Sequence, residues 1–260
     1  MTWTTQPRSS LGDLAAIVTG NGPRVVLIHG VGLRAEAWRP IIDDLAIDFE
    51  VVAPDLPGHG ASPFAGVYGT ITDYAAALDT ALTDGCVVVG HSMGAMLSLE
   101  LATTYGDRVA VVCALNGIFE REEDAAEAVQ ARANDLNGEN VPDPLPTLSR
   151  WFADVESEQR AACEAWLRAV SPRGYQAAYR VFAHANGPTR EQLSALAMPA
   201  LFMTGGREPN STPAMSHAMA ALAPKGRAEI VEDAAHMLPM THPNRVTQAL
   251  SALIAQASKE

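Results

Sequence analysis

A serine stands between two glycines at Gly90-His91-Ser92-Met93-Gly94, directly after the apolar run Val87-Val88-Val89. From Met93 to Thr104 the apolar residues then recur at helical spacing. A serine hydroxyl is a weak nucleophile. It attacks an acyl carbon only when a base takes its proton and an acid orients that base. A strand, a tight turn and a helix with serine at the apex present the hydroxyl for such an attack. The glycines let strand and helix approach, the oxygen is pushed out above a sheet, and the helix N-terminus favours developing negative charge.

The base and the acid must come from elsewhere in the chain. His236 follows the last apolar run, in Val231-Glu232-Asp233-Ala234-Ala235-His236, on a loop at a strand's carboxyl end. Loops in that position carry chemistry. His217 falls in a helix-like stretch, and His242 precedes Pro243 at the start of the final helix. For the acid, Glu208 is the single carboxylate of Gly205-Gly206-Arg207-Glu208-Pro209-Asn210, the loop after the preceding strand. Asn116 occupies the other station where such an acid could stand, and Asp233 is the open alternative. An oxyanion site needs two backbone N–H donors. Met93 and Val31, the latter in His29-Gly30-Val31-Gly32, are the candidates.

Six apolar runs are expected to position these groups: Arg24 to His29, Val51 to Ala53, Val87 to Gly90, Val109 to Leu115, Ala200 to Thr204 and Ala228 to Val231. They alternate with helical patterns, which predicts an α/β fold with a mostly parallel central sheet and helices on both faces. Residues 117–187 break the rhythm. They hold an acidic run from Glu120 to Glu127 and the prolines 142, 144 and 146, and their other segments read as helices. They are expected to form a helical cap insertion, with residues 1–116 and 188–260 making the core.

The chain has 260 residues and a formal net charge of −12, from 30 acidic and 18 basic side chains. That balance disfavours a nucleic-acid backbone or an anionic membrane surface as partner. No stretch approaches the ~18 apolar residues of a membrane span. The N-terminal residues lack the basic and apolar regions of a signal peptide, so a cytoplasmic location is expected. Cys86, Cys113 and Cys163 are widely spaced, which suggests neither a zinc site nor a disulfide framework. The chemistry calls for no metal and no cofactor. Its partner is a small-molecule substrate, and oligomeric state is not legible.

Together His29-Gly30, the segment Pro54-Asp55-Leu56-Pro57-Gly58-His59-Gly60-Ala61-Ser62, Gly90 to Gly94, Gly205 to Glu208 and Ala235-His236-Met237 resemble the α/β-hydrolase superfamily. The likeness is to compact serine esterases and lactonases with a helical cap. It implies Ser92 as nucleophile, His236 as base, and Val31 with Met93 as oxyanion donors. Glu208 departs from the aspartate that the family usually has as acid. Serine at the turn disfavours haloalkane dehalogenases and most epoxide hydrolases, which need an aspartate there. The expected activity is hydrolysis of a carboxylic ester of a small, apolar substrate through an acyl-enzyme. Lactone, thioester and carbon–carbon hydrolysis use the same triad. A receptor-like binding protein is the reading from another class, separable by turnover of an activated ester. His29 and His59 are expected to shape loops. Phe119, Trp151, Phe152 and Trp166 are expected to contact substrate, and the cap shows no obvious cationic cluster.

Overall fold

The computed structural model describes residues 3–153 and 155–257. Its sheet begins with a hairpin of Ser9–Leu11 (β1) and Leu14–Thr19 (β2), turned at Gly12 and Asp13. The remaining strands are Arg24–Ile28 (β3), Glu50–Pro54 (β4), Cys86–His91 (β5), Val109–Leu115 (β6), Ala200–Gly205 (β7) and Gly226–Val231 (β8). Their order across the sheet is β1-β2-β4-β3-β5-β6-β7-β8. Strands β3 to β8 pair in parallel, and β2 joins β4 antiparallel. The hairpin is additional to the six expected strands. Its signal is weak, because β1 is three residues long and β2 carries two alanines, which are poor strand formers.

The helices are Arg39–Leu45 (α1), Ile71–Ala77 (α2) and Met93–Thr104 (α3) before β6. Between β6 and β7 come Glu123–Asn134 (α4), Leu145–Phe152 (α5), Glu158–Ala169 (α6), Pro172–His184 (α7) and Arg190–Ser194 (α8). No strand interrupts them among the described residues. The chain closes with Pro213–Leu222 (α9), Leu238–Thr241 (α10) and Pro243–Ala257 (α11).

Side chains alternate across a strand, so each apolar strand supplies two cores. Val25, Leu27, Val87, Val89, Val111, Cys113, Leu201 and Met203 pack with Ile41 and Ile42 of α1 and Val246 and Leu250 of α11. Val26, Ile28, Val88, Val112, Ala114 and Phe202 face the other way, toward Tyr74 of α2, Leu97 and Leu101 of α3, and Met219 of α9. That second core continues into Leu148, Phe152, Trp166, Leu167 and Tyr175, so helices α5 to α7 are seated on the sheet side that carries α3. Parallel pairing brings the loops after β3, β5, β6, β7 and β8 to one edge of the sheet, where open α/β folds bind ligands.

Candidate active site

Ser92 lies between β5 and α3 with φ 59° and ψ −118°, a region that residues other than glycine rarely occupy. Its flanking glycines make that turn sterically possible. A Cβ on Gly90 would collide with the Gly94 carbonyl, and one on Gly94 with the Ile28 carbonyl. The Ser92 N–H donates to the Leu115 carbonyl at 2.9 Å, which ties the turn to β6. Met93 is the first residue of α3, so its N–H has no partner within the helix. Val31 lines the same cavity as Ser92. Gly30 lies so close that a Cβ there would sit 3.0 Å from the Ser92 Cβ.

His236 comes from the loop after β8, and Glu208 from the loop after β7. Glu208 Oε2 lies 2.6 Å from His236 Nδ1, with the carboxylate fully buried. The other carboxylate oxygen accepts the Asn210 N–H at 2.8 Å and the Ser211 N–H at 3.4 Å. Asn116, with φ 51°, donates its amide to Oε2 from the end of β6. Burial alone would raise the Glu208 carboxyl. The imidazole's charge and hydrogen bond, with the two backbone donors, outweigh it and hold the group at about 2. Asp233, the alternative acid, instead reaches His242 at 3.4 Å. His91 donates from Nε2 to the His236 carbonyl at 2.7 Å; burial first, then the neighbouring His236 charge, keep it neutral, near 3. No direct Ser92–His236 hydrogen bond forms among the described residues. Both side chains open on one cavity, and such contacts in unliganded sites tighten when substrate arrives.

His29 braces the loop that carries Val31. Its Nε2 accepts the Leu56 N–H at 3.0 Å, so the proton is on Nδ1, which points at the Gly30 carbonyl. Burial lowers both His29 and His59, the latter to about 3, and both are neutral rings inside the loop packing.

The cavity measures about 210 Å³. Its walls include Ser92, His236, Asn116, Trp151, Tyr175, Tyr179 and Phe182, and also Arg121, Arg132 and Arg150. The three arginines correct the expectation that this segment holds no cationic cluster. Arg121 donates to the Ala185 and Phe182 carbonyls and lies over the Phe182 ring at 4.7 Å. Burial pulls it down to about 10, so it is still charged at neutral pH. Arg132 donates to the Tyr179 hydroxyl, and Arg150 to Thr147. None of the three forms an ion pair with a carboxylate among the described residues.

The family model of alpha/beta hydrolases matches residues 25–249. The chain belongs to the alpha/beta hydrolase family. It is 36% identical over 244 residues to the (E)-2-((N-methylformamido)methylene)succinate hydrolase of Acinetobacter baylyi, covering 90% of each chain. It is 29% identical over 247 residues to the pimeloyl-[acyl-carrier protein] methyl ester esterase of Xanthomonas campestris, covering 92% of this chain and 97% of the esterase. Among solved structures, a malate-bound thermophilic esterase from Thermogutta terrifontis superposes with a TM-score of 0.82 at 25% identity, over 97% of this chain and 99% of that one. These relatives are hydrolases, and the chain is a hydrolase.

Of the four aromatic residues expected to touch substrate, only Trp151 lines this hydrolase's cavity. Phe119, Phe152 and Trp166 do not. They are buried in the core shared by the sheet and the helical segment, and Trp166 meets Trp3 edge-on at 6.0 Å. The sequence reading missed the arginines because they are 11 and 18 residues apart, on separate elements. Their like charge becomes a cluster only when those elements pack together.

Proposed function

We propose that this hydrolase cleaves the acyl bond of a small dicarboxylate, with an N-acyl enamine of succinate as first substrate and a succinate ester as second. The observation that carries this reading is the set of three guanidinium groups, without carboxylate partners among the described residues, around the cavity of Ser92 and His236. In a chain of net charge −12, such a cluster fits a polyanionic ligand, and guanidinium grips carboxylate with two parallel hydrogen bonds. The succinate in the Acinetobacter enzyme's name and the malate bound to the Thermogutta esterase are both four-carbon dicarboxylates, which supports the same class.

The arginines hold the substrate with its acyl carbon over Ser92. The hydroxyl oxygen adds to that carbon while His236 Nε2 takes its proton, and Glu208 steadies the imidazolium that forms. The N–H groups of Val31 and Met93 receive the oxyanion. Collapse breaks the carbon–nitrogen bond, and the imidazolium returns its proton to the departing nitrogen. An enamine conjugated to a carboxylate leaves more readily than an ordinary amine, because its nitrogen lone pair is delocalised. Water then enters, is deprotonated by His236, and frees the acid and Ser92. Residues 117–187 act in this reading as a cap that delivers the arginines.

The test is a substrate panel with Ser92→Ala as control. Dicarboxylate substrates should exceed their neutral, carboxylate-capped counterparts in kcat/KM. Arg150→Met should raise KM for a dicarboxylate about tenfold or more, while neutral ester hydrolysis stays within about threefold. Equal kcat/KM for charged and neutral substrates overturns the substrate class. Undiminished turnover by Ser92→Ala overturns the chemistry.

A further inference from the structure

Trp151 differs from the other aromatic residues of the cavity. Its indole lies against the imidazole of His236, with ring centroids 5.5 Å apart and planes 22° from parallel. It belongs to α5, whereas His236 belongs to the loop after β8. Helix α5 is pinned by Leu148 and Phe152, both buried in the shared core, so the indole is held in place rather than resting on the surface.

We propose that Trp151 is a positioning residue that acts through His236, its ring face favouring the imidazolium formed when the base takes the Ser92 proton. This rests on the Ser92–His236 chemistry proposed above and adds a role for the helical segment beyond shaping the pocket. The face of an indole carries negative quadrupole charge and attracts a cation within about 6 Å of its centroid. Acyl transfer develops the imidazolium, so an interaction that strengthens with its charge favours the transition state over the state with a neutral base. The other groups around the ring divide by sign. Glu208, on Nδ1, favours the cation. Arg150 on α5, Arg132 on α4 and Arg121 line the same cavity and oppose it, while Glu122 favours it. Ser92 and the neutral His91, whose ring is 4.9 Å away, complete the surroundings. A site that gathers arginines to hold an anion thereby handicaps its own base, and a neutral π face beside the imidazole offsets that without competing for the substrate's carboxylates.

The variants Trp151→Leu and Trp151→Phe separate this from simple pocket lining. With a neutral activated ester, Trp151→Leu should lower kcat roughly three- to thirtyfold while KM changes by less than about threefold. The acid limb of its kcat/KM profile should move to lower pH, because the protonated base has lost a stabilising neighbour, and Trp151→Phe should restore both. An activity-independent reading is protein fluorescence against pH. Protonated imidazole quenches an adjacent indole, so wild type should dim on acidification. That transition should be absent in Trp151→Phe and His236→Asn. A change in KM alone, an unmoved acid limb, or a fluorescence profile indifferent to His236→Asn overturns the proposal. If Ser92→Ala keeps full activity, the catalytic reading fails, and the fluorescence titration still decides whether indole and imidazole communicate.

Discussion

Glu208 is one methylene longer than the aspartate usual at its station, and its surroundings are built for that length. One carboxylate oxygen meets His236, and the other is held by the N–H groups of Asn210 and Ser211. Glu208→Gln places an amide donor opposite Nδ1 and favours the wrong imidazole tautomer. We expect kcat to fall by about two decades or more, checked by steady-state kinetics alongside a far-UV spectrum that stays native. The same carboxylate links stability to pH. Its folded value, about 2, is depressed from an ordinary 4.5. It therefore stabilises the fold above about pH 4.5, and that contribution is lost as pH falls toward 2. Wild type should lose Tm across this window, and Glu208→Gln should lose less.

At the scale of elements, the loop after β3 and the turn after β5 are fitted to each other. A methyl on Gly30 would stand 3.0 Å from the Ser92 Cβ and 3.5 Å from its Oγ. Gly30→Ala should displace Ser92 from the N–H groups of Val31 and Met93 that the proposed chemistry uses. The expected outcome is a loss of about two decades in kcat and slower fluorophosphonate labelling of Ser92. Retention of wild-type labelling rates would show that the turn has slack. How much of this was legible in the sequence follows from how local each signal is. The turn around Ser92 is written in five consecutive residues, and His236 and Glu208 each follow directly on an apolar strand. The β1–β2 hairpin escaped notice because short, alanine-containing strands say little in isolation. The cavity escaped because no local pattern distinguishes Trp151, which faces His236, from Phe152, which faces the core one position later. On a helix that choice is made by rotation against the neighbouring element.

Across the whole molecule, the N-terminal strands are clasped to the active-site loops by a buried ion network. Arg8 donates to Glu36 at 2.7 Å and to Asp55 at 2.8 Å, and both carboxylates are buried. Asp55 also accepts the N–H groups of Ala35 and Ala61. Arg8→Met leaves two buried carboxylates without their main counter-charge, so the fold should lose about 3–5 kcal/mol, read by urea denaturation; Arg8→Lys should recover part of it. Another consequence lies in the β6–β7 pairing. Everything before the largely exposed residues 137–143 carries Ser92, Val31 and Met93, and everything after them carries Glu208, His236 and Trp151. The two halves meet where Val112 to Leu115 pair with Ala200 to Met203, and again where α4 packs against α7. A polypeptide severed in that linker becomes a two-key lock. Neither piece holds both Ser92 and His236, and under the proposed chemistry fusing the pieces to two binding partners would make turnover report their encounter.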